Sequence, residues 1–295
     1  MRVVYSPRYE LRLPGHIWPT AKYRLIAERL ADLSIVLIEA TPASWEDLAL
    51  VHTGEYLAKI RSNTLSAEEV ATMELPWTAE LADGFRLMVG GTCHAAAAAL
   101  DEGLAAHLGG GLHHAYANHG EGFCPLNDVA VAIRVLQRDG RIRRAAVVDC
   151  DVHHGNGTAM IFERDPDVFT FSIHQQHNYP MFKPASDLDI GLEDGADDER
   201  YLTALAGALP RVLESGPELI VYLAGADPFA GDRLGGLAVS KPGLVERDRL
   251  VIAAARDNGI PLVTVLAGGY AVDVRDTVDI HASTIRAMVA AATAA

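Results

Sequence analysis

The chain has 295 residues, of which 49% are hydrophobic, and it carries a formal net charge of −14. This composition supports a large folded core, and it argues against a nucleic-acid partner, because phosphate contacts require clustered lysine and arginine. An acidic surface attracts cationic molecules instead, such as lysine-bearing peptides or polyamines.

The cysteines and the first residues indicate a compartment. Cys93, Cys124 and Cys150 are too few, and odd in number, for a disulfide framework. Charged residues between positions 8 and 12 interrupt the apolar core that a signal peptide would need. No apolar run approaches the roughly 18 residues of a membrane span. We therefore expect a cytoplasmic protein without a membrane partner; its oligomeric state is left open.

Apolar runs of strand length alternate with segments of helical period. Strands are predicted at 2–5, 35–39, 144–149, 168–173, 218–224 and 261–267. Helices are predicted at 20–31, 44–61, 84–107, 128–138, 157–164, 198–214, 244–257 and 276–292. Most strands are continuous apolar runs, which indicates burial on both faces of a parallel sheet. We predict a single α/β domain over residues 1–295, with a doubly wound, mostly parallel sheet and helices on both faces.

Polar clusters follow four of these strands. "DCDVHHGNG" ends the strand at 144–149, "HQQHNYP" follows 168–173, "GADPFAGD" follows 218–224, and "GGY" follows 261–267. The carboxyl ends of parallel strands meet at one edge of a sheet, where ligands bind. The sequence therefore predicts one active-site rim.

A metal site is the first candidate at this rim. Asp151 and His153 are two residues apart, so on an extended chain both side chains point to the same side. Asp227, at the end of another strand, is the best third ligand. An Asp/His/Asp set suits Zn²⁺, and also Fe²⁺ or Co²⁺. Taken alone, the Asp–His pair is more often part of a polar network without a metal.

A pair of histidines strengthens the metal hypothesis. His113 and His114 follow three glycines, and beside a metal-bound water they could supply a general base and an electrostatic partner. Each imidazole needs a hydrogen-bonding partner for the ring nitrogen that faces away from the water. Asp149 and Asn156 are the candidates for this role, because Asp151 and His153 are already assigned to the metal. Tyr270 can present its hydroxyl group to a substrate carbonyl.

These pieces together resemble the histone deacetylase superfamily, which has the arginase–deacetylase fold. The matching motifs occur in family order: "GGGLHHA", "GFCPLND", "VVDCDVHHGNGT", "FSIHQ", "GADPFAGDRLGGL" and "AGGY". Two further segments, "VVYSPRY" and "DRLGGLAVSKPGLVERDRLV", are similar to the class IV branch and its bacterial relatives. The resemblance covers nearly the whole chain. It implies a zinc-dependent amidohydrolase that removes acetyl or longer acyl groups from lysine side chains of proteins or peptides.

The resemblance also implies roles for single positions. Asp151, His153 and Asp227 match the zinc ligands, and His114 matches the general base and acid. His113 matches its electrostatic partner, Asp149 the aspartate bonded to that partner, and Tyr270 the tyrosine that binds the oxyanion. The tunnel for the acyl-lysine is matched by Gly122, Phe123 and Tyr179. A structural K⁺ site is matched by backbone oxygens of Asp149, Asp151, His153 and Ile173 with the hydroxyl of Ser172.

One departure and three alternatives qualify this interpretation. Asn156 stands where class I enzymes have an aspartate, and an amide stabilises imidazolium less, so His114 is expected to be less basic. Glu74 and His154 receive no role. The alternatives are a deacetylase of small acylated amines such as acetylpolyamines, a binuclear arginase-like ureohydrolase, and an inactive acyl-lysine binder.

Overall fold

An eight-stranded parallel sheet organises the computed structural model, which describes residues 1–293. The strands are β1 Arg2–Tyr5, β2 Val36–Glu39, β3 Leu104–His107, β4 Ala145–Asp149, β5 Val168–Gln175, β6 Leu188–Leu192, β7 Ile220–Leu223 and β8 Leu262–Val265. Their order across the sheet is β2-β1-β3-β8-β7-β4-β5-β6, and every neighbouring pair is parallel. The predicted fold class is confirmed.

Helices connect the strands and flank the sheet. They are α1 Lys22–Arg29, α2 Trp45–Leu48, α3 Gly54–Ser62, α4 Ala67–Met73, α5 Ala79–Glu102, α6 Asp128–Arg138, α7 Asn156–Phe162, α8 Asp198–Glu214, α9 Lys241–Asp257 and α10 Val274–Thr293, with a 3₁₀ helix at Pro7–Tyr9. Many begin at a side-chain cap. The hydroxyls of Thr53, Thr78 and Ser240, for example, accept hydrogen bonds from backbone amides in the first turns of α3, α5 and α9.

The centre of the sheet is buried on both faces. Every residue of β3, β4, β7 and β8 is buried, which explains why these strands lack polar alternation. Their side chains join one hydrophobic cluster with those of the flanking helices. Within residues 1–293, no helix combines the length and apolarity needed to cross a membrane.

The predicted helix 84–107 is wrong at its C-terminal end. Helix α5 ends at Glu102, and Gly103, with φ 82°, turns the chain into β3. The strand "LAAH" continues the small apolar residues of the helix, so periodicity did not separate the two elements. The correction matters because β3 leads directly into the histidine pair.

Three other differences are local. The predicted helix 44–61 is two helices, α2 and α3, because the hydroxyl of Thr53 caps a new helix. Helix α4 and strand β6 were not predicted. Strand β6 is only partly buried and contains Asp189 and Gly191, which are rare in strands, so its sequence carries little strand signal.

A buried arginine connects two strand ends at the rim. The guanidinium of Arg247, in α9, donates to the backbone carbonyls of Gly225 and Cys150, the residues that precede the loops carrying Asp227 and Asp151. Asp248 balances its charge through contacts of 2.8 and 3.0 Å. Both side chains are completely buried. This ion pair therefore holds the ends of β4 and β7 in register beneath the site.

Replacing Arg247 with methionine should lower the free energy of unfolding by about 3–5 kcal/mol, because Asp248 is left as an unpaired buried charge. Arg249→Met, an exposed position on the same helix, should change it by less than about 0.5 kcal/mol. Urea denaturation followed by circular dichroism measures both. Equal stabilities of the two variants would contradict the proposed contribution of this ion pair.

Candidate active site

The loops after four adjacent strands form a single rim. Strands β3, β8, β7 and β4 are neighbours in the sheet, and their C-terminal ends lie at the same edge. The loops that follow them carry, in that order, His113 with His114, Tyr270, Asp227, and Asp151 with His153. All predicted catalytic and metal-binding side chains therefore come from one edge of the sheet, as ligand sites in parallel sheets do.

Asp151, His153 and Asp227 lie together beneath this rim. The three residues are buried, and one donor atom of each lies within 4.8 Å of the other two. Nδ1 of His153 is 3.0 Å from Oδ1 of Asp151 and 3.5 Å from Oδ2 of Asp227. One imidazole nitrogen and two carboxylate oxygens form a donor set that suits Zn²⁺.

One carboxylate oxygen of this cluster lacks a partner. Oδ1 of Asp227 accepts a hydrogen bond from the amide of Val152 at 2.9 Å, whereas Oδ2 is buried without a hydrogen bond among residues 1–293. Burial and the adjacent charge of Asp151 raise the pKa of Asp227 to about 7. A buried carboxylate oxygen without a partner is destabilising. The residues present therefore fit a bound cation.

Gly268, in the loop after β8, makes room for the two carboxylates. A Cβ atom at this position would lie 1.8 Å from Oδ2 of Asp227 and 2.6 Å from Oδ2 of Asp151. Its amide also donates a hydrogen bond to Oδ2 of Asp151 at 2.8 Å. Only glycine lets the backbone approach both carboxylates so closely.

The two histidines pack side by side, with ring centroids 4.1 Å apart. Nδ1 of His113 lies 2.7 Å from Oδ2 of Asp149, and Nδ1 of His114 lies 2.6 Å from Oδ1 of Asn156. Each histidine therefore contacts the side chain that the sequence analysis predicts as its hydrogen-bonding partner.

The surroundings of the two imidazoles differ in their effect on the pKa. Burial disfavours the charged form of His113, but Asp149 and Asp151 outweigh it and raise the pKa of His113 to about 9. For His114, burial acts together with the charges of His113 and His153, and the pKa falls well below its usual value. Neighbouring groups with pKa values pushed apart are typical of acid–base sites.

A cavity of about 140 Å³ adjoins the cluster. The predicted tunnel residues all line it, and the full lining is Glu74, His114, Gly122, Phe123, His153, Asn178, Tyr179, Leu234 and Tyr270. The ring of Phe123 meets that of Tyr270 edge to face at 6.0 Å. Burial and the charges of Asp151 and Asp227 raise the pKa of Tyr270 well above its usual value, so its hydroxyl stays protonated and can donate.

The backbone of the tunnel wall has an unusual conformation. Gly122 and Phe123 have φ angles of 50° and 66°. A Cβ atom on Gly122 would lie 2.8 Å from ring atoms of both His114 and Tyr179, so the glycine is required by close packing. A positive φ at Phe123 costs about 1–3 kcal/mol, and such strain concentrates at functional sites.

The predicted monovalent-cation residues come from β4 and β5 and the loop after β4. The register of the two strands puts Ser172 directly beside Asp149, and Ile173 follows in β5. Oγ of Ser172 is 2.9 Å from Nδ1 of His174. Their ability to hold K⁺ stays a prediction.

Two residues to which the sequence assigned no role now have a location. Glu74 lines the cavity, at the C-terminus of α4. His154 is buried, and its Nε2 lies 3.1 Å from Oδ1 of Asp189, which indicates support of the loop after β4.

Sequence reasoning missed two further residues near the site. Lys22 is fully buried and donates to the carbonyl of Ala267 at 3.0 Å; burial lowers the pKa of Lys22 to about 8 although Asp227 favours the charged form. Glu121 lies beside Asn156 and Tyr179. Neither stands in a recognisable chemical pattern, since Lys22 resembles any helical lysine and Glu121 only precedes the "GFC" segment.

The comparisons with known proteins identify the family. Residues 16–285 match the model of the histone deacetylase domain. The chain belongs to the histone deacetylase family. Among its relatives, an uncharacterised protein of a Picosynechococcus species is 41% identical, and the alignment covers 97% of both chains. Histone deacetylase 2 of Arabidopsis thaliana is 32% identical over 91% of this chain and 74% of its own.

A solved structure of a histone deacetylase homologue complexed with SAHA has the same fold. Its TM-score is 0.83 at 24% identity, and the match covers 98% of this chain and 84% of that one. The prediction of a histone deacetylase fold and family from sequence motifs is confirmed, and the chain is a member of a deacetylase family.

Asp227→Asn should raise the free energy of unfolding of the chelator-treated protein by about 1–3 kcal/mol, because it removes a buried charge of which one oxygen has no hydrogen bond among the described residues. Asp151→Asn should lower it, because Asp151 accepts hydrogen bonds from the amides of His153 and Gly268. Zn²⁺ should raise the melting temperature of the wild type only. Calorimetry with and without Zn²⁺ measures this, and a stabilisation of Asp227→Asn by Zn²⁺ would contradict the assignment.

Proposed function

We propose that this protein is a zinc-dependent deacylase that hydrolyses the side-chain amide of acylated lysine. The observation that carries the proposal is the convergence of three kinds of groups at one edge of the sheet. These are the Asp/His/Asp donor set, the histidine pair, and a tunnel with aromatic walls. A substrate with a narrow extended chain and a terminal amide fits that arrangement.

Asp151, His153 and Asp227 are the proposed zinc ligands, and the same donor set accepts Fe²⁺ or Co²⁺. A bound zinc ion supplies Lewis acidity at the amide carbonyl and lowers the pKa of a water molecule towards about 7. The second carboxylate oxygen of Asp227, which has no hydrogen bond among the described residues, supports this role.

The residues of the chain account for the proton transfers. The Nδ1–H of His114 is held by Asn156, so its Nε2 is free to accept a proton from water as the oxygen adds to the acyl carbon. Tyr270 donates a hydrogen bond to the former carbonyl oxygen while it carries negative charge. His114 then returns the proton to the nitrogen, the C–N bond breaks, and a carboxylate and a free amine leave. His113, paired with Asp149, supplies positive charge beside these steps.

The dimensions of the cavities favour a short acyl group. A second cavity of about 30 Å³ lies among His113, Gly111, Tyr23 and Tyr270. It is much smaller than the 140 Å³ cavity of the tunnel, which favours an acetyl group over a long acyl chain. We therefore propose acetyl-lysine in proteins or peptides as the preferred substrate.

A small acylated amine is the second candidate. The side chain of Glu74 at the tunnel and the net charge of −14 favour a cationic chain such as an acetylpolyamine. A binuclear ureohydrolase has less support, since the other candidate donor group in residues 1–293, His154 with His174 and Asp189, shares no residue with the first. An inactive binder would not require the acid–base pair.

Three other parts of the proposal rest on the resemblance: the extent of the catalytic domain, its class, and a structural K⁺ site. Residues 1–295 are proposed to form a single catalytic domain of class IV type. A structural K⁺ is proposed to bind backbone oxygens of Asp149, Asp151, His153 and Ile173 with the hydroxyl of Ser172. The register between β4 and β5 supports such a site because it aligns Asp149 with Ser172.

Zinc-loaded protein should hydrolyse an acetyl-lysine peptide faster than a dodecanoyl-lysine peptide or an acetylpolyamine, with release of the free amine as the common readout. Tyr270→Phe should lower kcat by about 10²–10³, because one oxyanion donor is lost. Tyr5→Phe, at a partly exposed residue of β1 that lines neither cavity of the site, is the matched control and should retain full activity. Faster turnover of acetylpolyamine would favour the second candidate, and an inert wild type across the panel would refute the proposal.

A further inference from the structure

Glu121 lies in a tight turn that also forms the tunnel wall. Its amide donates to the carbonyl of Cys124 at 3.0 Å, and the Cys124 amide donates back at 2.8 Å. Gly122 and Phe123 occupy the tip of this turn, so the tunnel wall and the Glu121 carboxylate are fixed by the same backbone. The side chain is 19% exposed and lies among polar residues, namely His119, Asn156 and Tyr179.

Two donors meet one oxygen of this carboxylate. Oε1 of Glu121 accepts hydrogen bonds from Nδ2 of Asn156 and from the hydroxyl of Tyr179, both at 2.9 Å. Oε2 is 3.6 Å from Nε2 of His119. Burial favours the neutral acid, but hydrogen bonds from His119, Tyr179 and Asn156 outweigh it and lower the pKa of Glu121. The carboxylate is therefore ionised at neutral pH and only accepts hydrogen bonds.

This acceptor determines which end of the Asn156 amide faces His114. An amide side chain has nearly the same shape in two orientations, and in the alternative one its NH₂ group would face the imidazole. An ionised carboxylate excludes that alternative, because it binds NH₂ and repels an amide oxygen. The hydroxyl of Tyr116, 3.2 Å from Nδ2, can donate or accept and does not discriminate.

The orientation of Asn156 in turn determines the tautomer of His114. With Oδ1 of Asn156 2.6 Å away, Nδ1 of His114 must carry the hydrogen, and Nε2 is left as the basic nitrogen. With the amide reversed, Nδ1 would accept a hydrogen bond and the neutral ring would carry its hydrogen on Nε2. That tautomer cannot remove a proton from water.

We propose that Glu121 is a positioning residue that orients the amide of Asn156 and thereby keeps Nε2 of His114 free to act as the base. The inference rests on the proposed function of His114. His113 is in direct contact with a carboxylate, that of Asp149. For His114 the corresponding carboxylate is that of Glu121, and the amide of Asn156 lies between the two. Hydrogen bonds in such a chain polarise one another, so Glu121 also stabilises the imidazolium form of His114 through the amide.

Glu121→Gln tests the inference, because glutamine has the same shape but accepts or donates equally well. In the zinc-loaded enzyme it should lower kcat on acetyl-lysine peptide by about 10- to 100-fold, the range of a hydrogen bond to a charged group, with little change in KM. Glu68→Gln, an exposed glutamate of α4, is the matched control and should behave as wild type.

A double variant that moves the carboxylate from position 121 to position 156 should recover activity that the single variants lose. Asn156→Asp alone puts two carboxylates in contact and should also lower kcat. The double variant Asn156→Asp/Glu121→Gln has a single carboxylate, now in direct contact with His114, and should exceed the Asn156→Asp single variant by at least about tenfold in kcat. Simple additivity of the two losses, or a Glu121→Gln variant with wild-type kcat, would overturn the inference.

The tautomer itself is a second readout, independent of turnover. Two-bond ¹H–¹⁵N spectra of the zinc-loaded protein, assigned with His114→Ala, should show hydrogen on Nδ1 of His114 in the wild type. In Glu121→Gln the Nε2–H form should appear. If the tautomer shifts in this way while the wild type is inert towards every acylated amine, the proposed function fails and the positioning role of Glu121 stands. An unchanged tautomer in an active enzyme refutes the positioning role alone.

Discussion

Two carboxylates buried beside one imidazole are the constraint on which the site depends. Asp151 and Asp227 are each at most 1% exposed, and both are in contact with His153. Such a group is stable only if backbone donors, a cation or a proton compensates the charge. The amides of Val152, His153 and Gly268 satisfy part of this requirement. Oδ2 of Asp227 receives no hydrogen bond from the described residues. This oxygen is the feature that most directly indicates a cation.

The fold supports this group through a buried arginine. The ends of β4 and β7 are joined by the buried guanidinium of Arg247, so the loops that carry the two carboxylates start from fixed positions. At the tunnel, Glu121 connects Tyr179, in the tunnel wall, to Asn156, the hydrogen-bonding partner of His114. Both connections join residues far apart in the chain. The site is therefore a property of the whole sheet edge rather than of any single motif.

The sequence predicted the parts of this arrangement that are local. The strands that lead to Asp151, Asp227 and Tyr270 are continuous apolar runs with polar residues after them, and that pattern is readable without a structure. Strand β3 was missed because "LAAH" extends the apolar composition of α5. The function of Glu121 could not be predicted, because it depends on Asn156 and Tyr179, which lie 35 and 58 residues further along the chain. Spacing carries no signal for such a contact.

The central claim is that a water molecule attacks the acyl carbon of a lysine amide in this site. Hydrolysis of an acetyl-lysine peptide by the zinc-loaded protein in H₂¹⁸O, with mass spectrometry of the released acetate under single turnover, tests it directly. The account predicts one ¹⁸O atom in each acetate, an unlabelled lysine amine, and no release from His114→Ala above background. Acetate without ¹⁸O, or transfer of the acetyl group to another acceptor, would contradict it.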